Sequence, residues 1–358
     1  MASPIPCTYE AIDLFCGAGG TSLGFKQAGF NLRLGVDIDV ASLTTYTNNI
    51  KSKTFVSDLF KSGAEEILDK SGLMSGETTT ILGCPPCQGF SSLGTMDEED
   101  PRNGLVGKFV DVVAGVRPDF FTFENVPGVA DHDKYFGSMI RRLQRRGYSL
   151  KFTVVDMRDY GVPQRRARLV CVGGRDKKAM KRFHFPEPTH HVTGAGGLRN
   201  WATVRETISD LPEIRPWESS KIPNHKVGRH GPLISERILH IPVNGGSRSD
   251  LPKRLQYGCH SRTDGFKDVL GRMNWDEPSP TITTGCFNPT KGRFLHPEQD
   301  REISMREAAR LQTFPDTFIF PEATTIAARQ IGNAFPPLFA GLLAERIKTA
   351  SNPKGNRR

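Results

Sequence analysis

Short apolar runs alternate with helix-like segments through the first 175 residues, and this alternation restricts the fold more than any other feature. The apolar runs are EAIDLF (10–15), LRLGVDI (32–38), TTILG (79–83), DFFTFENV (119–126), LKFTVVDM (150–157) and ARLVCVGG (167–174). Runs of this kind predict buried strands, and the helices between them predict parallel crossovers. We therefore predict an α/β fold, with a mostly parallel sheet that is covered by helices on both faces.

The composition changes after about residue 175. Residues 176–264 contain 15 Lys and Arg against 9 Asp and Glu, with frequent Pro and Gly. Long periodic segments are few there, so we expect a smaller, irregular and basic second domain. Two stretches further on, SMREAARLQTF (304–314) and PPLFAGLLAERIKTA (336–350), are typical of helices. We predict a first domain at residues 9–175 and a second domain at residues 176–300. Residues 301–350 are predicted to return to the first domain, and residues 351–358 to form a disordered tail.

The charge and the cysteines indicate the setting of the protein. A net charge of +9 suits a polyanionic partner. No apolar run reaches membrane-spanning length, and the start of the chain, MASPIPCTYEAIDLF, lacks the pattern of a secretory signal. Seven cysteines, an odd number, predict reduced thiols in the cytoplasm and not a disulfide framework.

A glycine-rich turn follows the first predicted strand. Gly17, Gly19 and Gly20 lie between that strand and a helix, while Ser22 stands where the dinucleotide fingerprint G-x-G-x-x-G would have its third glycine. Asp37 and Asp58 end later apolar runs, where carboxylates can bind a ribose and an adenine amino group. A nucleoside cofactor without a pyrophosphate fits this pattern, and a structural turn with two surface carboxylates fits these residues equally well.

The segment GCPPCQGFSS (83–92) fixes one cysteine between restricted residues and a loose loop. Prolines restrict their own φ and the residue before them, so Cys87 is held firmly. The Gly-, Ser- and Asp-rich stretch that follows predicts a mobile flap. A zinc site would need a second pair of ligands, and the other cysteines form none, so we predict no metal. We predict a reactive Cys87 and a structural Cys84.

A nucleophilic Cys87 would need nearby cations. A carboxyl at the end of a strand can act as an acid or form a hydrogen bond to the edge of a nucleobase. Arg166 and Arg168 alternate at period two as they enter a strand, so both side chains are expected on the same face. Glu124 lies at the carboxyl end of a strand, where open α/β sheets bind ligands. Taken alone, a solvated basic strand end and a surface glutamate remain the simpler interpretations.

Together and in this order, the motifs resemble the cytosine-5 DNA methyltransferases of the bacterial type. The matching stretches are DLFCGAGG (13–20), GCPPCQGFS (83–91), ENV (124–126), QRRAR (164–168), GRMNWDEPSPTIT (271–283), REAARLQTFP (306–315) and QIGNAFPP (330–337). The resemblance covers about residues 9 to 348. It implies a Rossmann-like, S-adenosylmethionine-dependent methyltransferase sheet with a smaller target-recognition domain.

The resemblance also implies roles for individual residues. Cys87 would attack carbon 6 of a flipped-out cytosine, Glu124 would hold its amine and N3, and Arg166 and Arg168 would steady the base and the thiolate. S-adenosylmethionine would donate the methyl group. The residues expected to bind it are Phe15, Gly17, Gly19, Gly20, Asp37, Ile38, Asp58, Leu59, Pro85, Leu105 and Asn333.

The expected macromolecular partner is duplex DNA. Gln88 and Ser91 in the flap are candidates for filling the gap left by the flipped base, and 257–272 is a candidate reading segment. The helix that contains Arg141, Arg142, Arg145 and Arg146 could also contact DNA, although a solvated helix face is the simpler interpretation. We expect a cytoplasmic, nucleoid-associated monomer that is functionally paired with a restriction endonuclease without binding it.

Three alternatives remain open from the sequence. A tRNA cytosine-5 methyltransferase would keep the chemistry, but the GFS after PPCQ is typical of the DNA enzymes. A non-catalytic DNA-binding homologue would not need Cys87, Glu124, Arg166 and Arg168. A C-x-x-C oxidoreductase would depend on Cys84, whereas methyl transfer would not.

Overall fold

The computed structural model describes residues 9–76, 79–86, 100–218, 220–256 and 268–351. The chain divides into two compact units. Unit 1 comprises Met1–Asp156, Ala167–Glu187 and Phe335–Arg358, and unit 2 comprises Met157–Arg166 and Pro188–Ala334. The chain therefore passes from one unit to the other four times, so neither unit is a continuous segment.

Unit 1 contains a seven-stranded sheet in the order β3-β2-β1-β4-β5-β7-β6. The strands are β1 (Glu10–Leu14), β2 (Asn31–Asp37), β3 (Thr54–Val56), β4 (Thr79–Gly83), β5 (Phe120–Asn125), β6 (Ser149–Asp156) and β7 (Ala167–Gly174). The pairs among β1 to β5 are parallel, and β7 runs antiparallel to both β5 and β6. The predicted α/β fold with a mostly parallel sheet is confirmed.

The strand order reverses between β1 and β4. From β1 the chain builds outward through β2 to β3, and it then returns to pair β4 on the other side of β1. Such a reversal opens a crevice at the carboxyl ends of the two central strands. The segments that follow β1, β2, β4 and β5 all leave the sheet at this same edge, because these strands are parallel.

Helices cover both faces of this sheet. They are α1 (Gly20–Gln27), α2 (Val40–Ile50), α3 (Ala64–Ser71), α4 (Leu105–Val116), α5 (Ser138–Arg145), α6 (Lys177–Arg182) and α11 (Pro337–Ser351). The main core lies between β1, β4, β5 and α4, with Ile12, Ile81, Phe109 and Phe121 all fully buried. Because β1 and β4 are buried on both faces, their sequences are apolar runs and do not alternate.

The last helix packs against the first one. A Cβ atom added to Gly24 in α1 would lie 2.3 Å from the Pro337 carbonyl oxygen and 2.7 Å from the Ala340 Cβ. Only glycine lets the two helices approach this closely. The Lys348 ammonium at the other end of α11 donates to the Ala28 carbonyl at 2.7 Å. The C-terminal segment therefore completes unit 1.

Unit 2 contains short elements joined by irregular chain. Its helices are α7 (Val204–Ile208), α8 (Pro232–Leu239), α9 (Met305–Leu311) and α10 (Thr324–Asn333), and the two-residue strands β8 (His190–His191) and β9 (Arg199–Asn200) pair in parallel. Buried arginines hold the irregular parts together. Arg272 donates to the carbonyls of Ile238 and Ile241, and Arg301 pairs with Glu307 at 2.7 Å. Arg272 thus ties the end of α8 to the chain that follows it, and Arg301 fixes the start of α9 through Glu307.

The predicted segment boundaries need one correction. Residues 301–350 were expected to return to the first domain as a whole, but α9 and α10 lie in unit 2 and only the part from Phe335 onward lies in unit 1. Residues 157–166 also belong to unit 2. Ser351 is the last residue of α11, and the rest of the predicted tail lies outside the described residues. No helix among the described residues is long and apolar enough to cross a membrane.

The close approach of α1 and α11 makes a testable prediction. Gly24→Ala forces the helix backbones apart, so we expect it to lower the free energy of unfolding by at least about 2 kcal/mol. The measurement is denaturant unfolding followed by circular dichroism.

Gly107→Ala in α4 is the matched control for Gly24→Ala. The nearest atom to its added Cβ is the flexible Arg142 Nη1 at 3.6 Å. Alanine is the better helix former there, so the free energy of unfolding should stay equal or rise by up to about 1 kcal/mol. Equal effects of the two substitutions would contradict the packing argument.

Candidate active site

The glycine turn after β1 forms the first part of the site. Phe15 (φ 57°), Gly17 (φ 52°) and Gly19 (φ 100°) all have left-handed backbones, which glycine adopts without strain. The Gly17 N–H donates to Asp37 Oδ2 at 2.8 Å, which ties the turn to the end of β2. This bond holds Asp37 beside the glycine turn, and the predicted binding of a ribose by Asp37 stays a prediction.

Tight packing behind the turn explains one of its glycines. A Cβ at Gly19 would lie 2.8 Å from Ile50 Cγ1 and 2.9 Å from Tyr46 Cδ2, so α2 leaves no room for a side chain. Gly20 follows as the first residue of α1 and is buried. Among the described residues, no atom lies within 4 Å of a Cβ built at Gly17, so this part of the structure leaves the space above Gly17 open. The turn is thus closed against α2 and open at Gly17.

Four of the predicted cofactor residues lie at or just after the ends of β2 and β3. Asp37 also accepts from the Asp39 N–H at 2.9 Å, and burial raises the pKa of its carboxyl above the ordinary range. Ile38 is 66% exposed, which is unusual for an isoleucine and leaves an apolar surface beside that carboxylate. Asp58 Oδ1 accepts from the Phe60 N–H at 3.0 Å. Leu59, by contrast, packs its side chain into the core.

The chain after β4 lies next to β5. The Pro85 carbonyl accepts from Asn125 Nδ2 at 3.2 Å, so the prolines are fixed to the end of β5. The Cys84 sulfur lies 3.6 Å from Thr21 Oγ1. Burial and the negative charge of Glu124 raise the pKa of the Cys84 thiol well above its ordinary value, so Cys84 stays protonated. Leu105, which begins α4, is buried in the same core.

Glu124 and Arg168 form an ion pair at this edge of the sheet. Arg168 Nε lies 2.8 Å from Glu124 Oε1, and both side chains are about 15% exposed (15% and 14%). Because Glu124 pairs with Val170 across the two strands, Arg168 is its diagonal neighbour on the same face. The pairing fixes the orientation of the carboxylate and leaves part of it accessible.

The predicted role of Arg166 in steadying the base and the thiolate stays a prediction. This residue lies immediately before β7, the strand that contains Arg168. It is 3% exposed, and its guanidinium donates to the carbonyls of Ile282 (3.4 Å), Gly332 (3.3 Å) and Ala334 (3.0 Å). Arg166 therefore holds the backbone of unit 2 together.

Gln164 forms part of the same polar cluster. Its amide donates to Gln312 Oε1 at 3.0 Å and accepts from the Ile282 N–H at 2.9 Å. Gln312 in turn donates to the Ile331 carbonyl at 2.7 Å. Buried amides that satisfy several backbone groups fix segments that have no regular pairing. Gln164 of QRRAR and Gln312 of REAARLQTFP thus meet inside unit 2.

Asp13 is a site residue that sequence reasoning missed. It lies in β1, is 1% exposed and accepts from Ser22 Oγ through Oδ2 at 2.6 Å. Ser22 also bonds to the Tyr46 hydroxyl at 2.8 Å, which explains why serine replaces the third fingerprint glycine. Asp13 Oδ1 has no hydrogen-bond partner among the described residues. An acid inside the apolar run AIDLF was the signal that could have revealed it.

Several predicted residues cannot be placed in this site. Cys87, Gln88, Ser91 and most of the reading segment 257–272 lie outside the described residues. Asn333 is exposed at the end of α10 in unit 2. Its predicted contact with the cofactor, and the roles of the other residues, stay predictions.

The arginine-rich helix is α5. Arg141 pairs with Asp133 at 2.7 Å and Arg142 with Asp111 at 2.5 Å. Helix α5 leads from the carboxyl end of β5 to the start of β6, which runs parallel to β5 because both are antiparallel to β7. Arg145 and Arg146 therefore lie at the opposite edge of the sheet, which favours a solvated helix face over a DNA contact.

Comparison with known proteins identifies the class. The family model described as C-5 cytosine-specific DNA methylase matches residues 9–349. The type II methylase M.HgiDII of Herpetosiphon aurantiacus is 34% identical over 94% of each chain, and the type II methyltransferase M1.HphI of Haemophilus parahaemolyticus is 34% identical over 94% of this chain and 86% of its own. The chain belongs to the C-5 cytosine-specific DNA methylase family and is a DNA (cytosine-5) methyltransferase.

A solved structure agrees with this assignment. A protein described as a DNA modification methyltransferase encoded within an E. coli prophage superposes with a TM-score of 0.74 at 25% identity, over 96% of this chain and 100% of its own. The resemblance noted in the sequence and the Rossmann-like fold are therefore confirmed. Similarity to DNA enzymes over the whole chain also favours DNA over tRNA as the substrate.

The different positions of the two arginines make a prediction. Arg166→Met leaves three backbone carbonyls without their donors, so we expect the free energy of unfolding to fall by roughly 2–4 kcal/mol. Arg168→Met removes a partly exposed ion pair and should cost less than about 1 kcal/mol. Urea unfolding of both variants measures the difference. A larger loss for Arg168→Met would show that Arg166 does not have the structural role assigned to it.

Proposed function

We propose that the protein transfers a methyl group from S-adenosylmethionine to carbon 5 of a flipped-out cytosine in a specific duplex DNA sequence, with Cys87 as the nucleophile. The observation that carries this proposal is the Glu124–Arg168 pair at the carboxyl end of β5, beside the Pro85 carbonyl. Pro85 and Pro86 lead directly to Cys87 in the sequence. A carboxylate at this sheet edge, together with a cysteine two positions after Pro85 in the sequence, suits covalent catalysis on a pyrimidine.

The residues present fit the cofactor. The open space above Gly17 admits a ligand close to backbone, and the buried Asp37 carboxylate can accept from ribose hydroxyls. The exposed Ile38 offers an apolar face for the adenine, and Asp58 lies two residues beyond the end of β3. When bound, S-adenosylmethionine supplies an electrophilic methyl group on a sulfonium. Phe15, Gly19, Gly20, Leu59, Pro85, Leu105 and Asn333 complete the proposed binding set.

Two residues of this chain would act in the first step of the proposed mechanism. The Cys87 thiolate would form a bond to carbon 6 of cytosine, while the Glu124 carboxyl accepts a hydrogen bond from the exocyclic amine and donates its proton to N3, which balances the negative charge that develops on the ring. Arg168 keeps the Glu124 carboxylate oriented through the 2.8 Å ion pair. Carbon 5 then takes the methyl group, a base removes its proton, and the bond from carbon 6 to Cys87 breaks.

DNA contacts are assigned to unit 2 and to the segment after Cys87. The basic surplus of residues 176–264 suits phosphate contacts, which position the duplex without reading its sequence. Gln88 and Ser91 remain the candidates for filling the gap left by the flipped base, since extrusion costs a few kcal/mol. The type II names of the relatives support pairing with a restriction endonuclease. A cytoplasmic, nucleoid-associated monomer is part of the same proposal.

The first test is transfer of labelled methyl from S-adenosylmethionine to duplex DNA and to tRNA in parallel, followed by nucleoside analysis. We expect 5-methylcytosine in DNA alone, with a genomic DNA mixture used so that the unknown target sequence is present. Label in tRNA alone would overturn the choice of substrate while leaving the chemistry in place.

Cys87→Ala tests the nucleophile in the same assay. It removes the attacking sulfur, so we expect transfer to fall to background, because removing a covalent nucleophile leaves no route to the adduct. Binding of S-adenosylmethionine should be unchanged. Cys84→Ser is the matched control, since it keeps transfer if Cys84 is structural and would abolish activity in a C-x-x-C oxidoreductase. Full activity of Cys87→Ala would rule out the mechanism.

A further inference from the structure

The Asp13 carboxyl is buried at the strand-order reversal with only one of its oxygens satisfied. Oδ2 accepts from Ser22 at 2.6 Å, while Oδ1 is buried and has no hydrogen-bond partner among the described residues. A buried polar atom without a partner costs free energy, so its persistence in a site calls for an explanation. The residue also lies only two positions before Phe15, where the glycine turn begins.

The ionisable groups around Asp13 come from four places in unit 1. Asp37 ends β2, Tyr46 lies in α2, Cys16 lies in the turn after β1, and Cys84 follows β4. Each of these groups is neutral when it holds its proton and negative when it has lost it, so none of them offers a positive charge to an ionised Asp13. Burial and the charge of Asp37 accordingly raise the pKa of the Asp13 carboxyl to about 7.

A positively charged ligand would instead favour the ionised form of the Asp13 carboxyl. S-adenosylmethionine has a sulfonium, whereas its product, S-adenosylhomocysteine, has an uncharged thioether in the same position. Both share the same ammonium, carboxylate, ribose and adenine. A cation at the carboxyl edge of β1 favours the ionised form of a nearby buried carboxyl, because the interaction is weakly screened there.

We propose that Asp13 is a positioning and specificity-determining residue for the cofactor: below neutral pH it is an uncharged acid in the ligand-free protein, and it gives up its proton when the sulfonium cofactor binds. The proposal rests on S-adenosylmethionine being the cofactor. Ionised Asp13 then provides the countercharge that favours S-adenosylmethionine over S-adenosylhomocysteine, and loss of the positive charge on methyl transfer returns the proton to Asp13. The proton is exchanged with buffer, so charge and atoms balance in both directions.

Because binding of S-adenosylmethionine is coupled to loss of the Asp13 proton, its affinity should depend on pH. Below about pH 7 the free protein holds the Asp13 proton, so binding of S-adenosylmethionine must release it, and affinity should rise up to about tenfold per pH unit from pH 5.5 to 7. Above pH 8 the carboxyl is already ionised and the contribution disappears. Binding of S-adenosylhomocysteine should lack this component.

Titration calorimetry in buffers of different ionisation enthalpy measures the released protons directly. We expect the wild type at pH 6 to release close to one more proton with S-adenosylmethionine than with S-adenosylhomocysteine. Asp13→Asn keeps the shape and the Ser22 hydrogen bond but cannot ionise, so this difference should vanish and the preference for S-adenosylmethionine at pH 8 should fall by about tenfold or more. Asp39→Asn, which changes a nearby carboxylate that caps α2, should behave as the wild type.

Thermal unfolding without ligand shows whether Asp13→Asn keeps an intact fold. Raised-pKa acids are stabilising when protonated, so the wild type should lose stability as the pH rises from 4 through 7, and Asp13→Asn should not. The melting temperature of Asp13→Asn should therefore exceed that of the wild type at pH 8 and approach it at pH 4, close to the pKa of an ordinary aspartate. Equal proton release by the wild type and Asp13→Asn would overturn the role of Asp13, whereas no binding of either ligand would overturn the proposed cofactor.

Discussion

The parallel pairing of β1 with both β2 and β4 is the constraint on which the site depends. It brings the glycine turn, Asp37 and the Pro85 segment to the same edge of the sheet although they are far apart in the sequence. The bond from the Gly17 N–H to the Asp37 carboxylate then fixes the turn against β2. On the other side of β4, the Asn125 amide and the Glu124–Arg168 pair fix the end of β5. One sheet edge thus carries both the cofactor side and the base side of the proposed reaction.

The parts of this arrangement that follow from local sequence were predictable. Apolar runs predicted six of the seven strands of the large sheet to within one residue, and the short β3 was not among them. The central parallel strands β1 and β4 are buried on both faces, so their sequences are apolar runs. The glycine spacing predicted the turn, since left-handed backbone at Gly17 and Gly19 requires residues without a Cβ. The position of Asp37 near the turn was predictable because Asp37 ends the second strand, which pairs in parallel with the first strand.

Properties set by distant segments could not be read in the same way. Arg166 and Arg168 are two residues apart, and the period-two argument assumed that one strand contains both. The strand begins at Ala167, and Arg166 is buried by carbonyls more than one hundred residues away in the sequence, 116 to Ile282 and 168 to Ala334. The burial of Asp13 and its bond to Ser22 likewise depend on how α1 and α2 pack, which no local pattern contains. The sequence therefore indicated which residue types the site could use, whereas the placement of each side chain depends on contacts between segments that are distant in the sequence.

The contact between α1 and α11 has a consequence for the order in which the protein can fold during synthesis. The bond from Lys348 to Ala28 closes a loop of 320 residues, so α1 emerges from the ribosome long before its partner exists. At translation rates of about 5–20 residues per second, that interval lasts roughly 15–60 s. During it, the face of α1 that surrounds Gly24 has no helix to cover it. Unit 1 can therefore reach its native packing only as one of the last events of synthesis, after nearly all of unit 2 has been made.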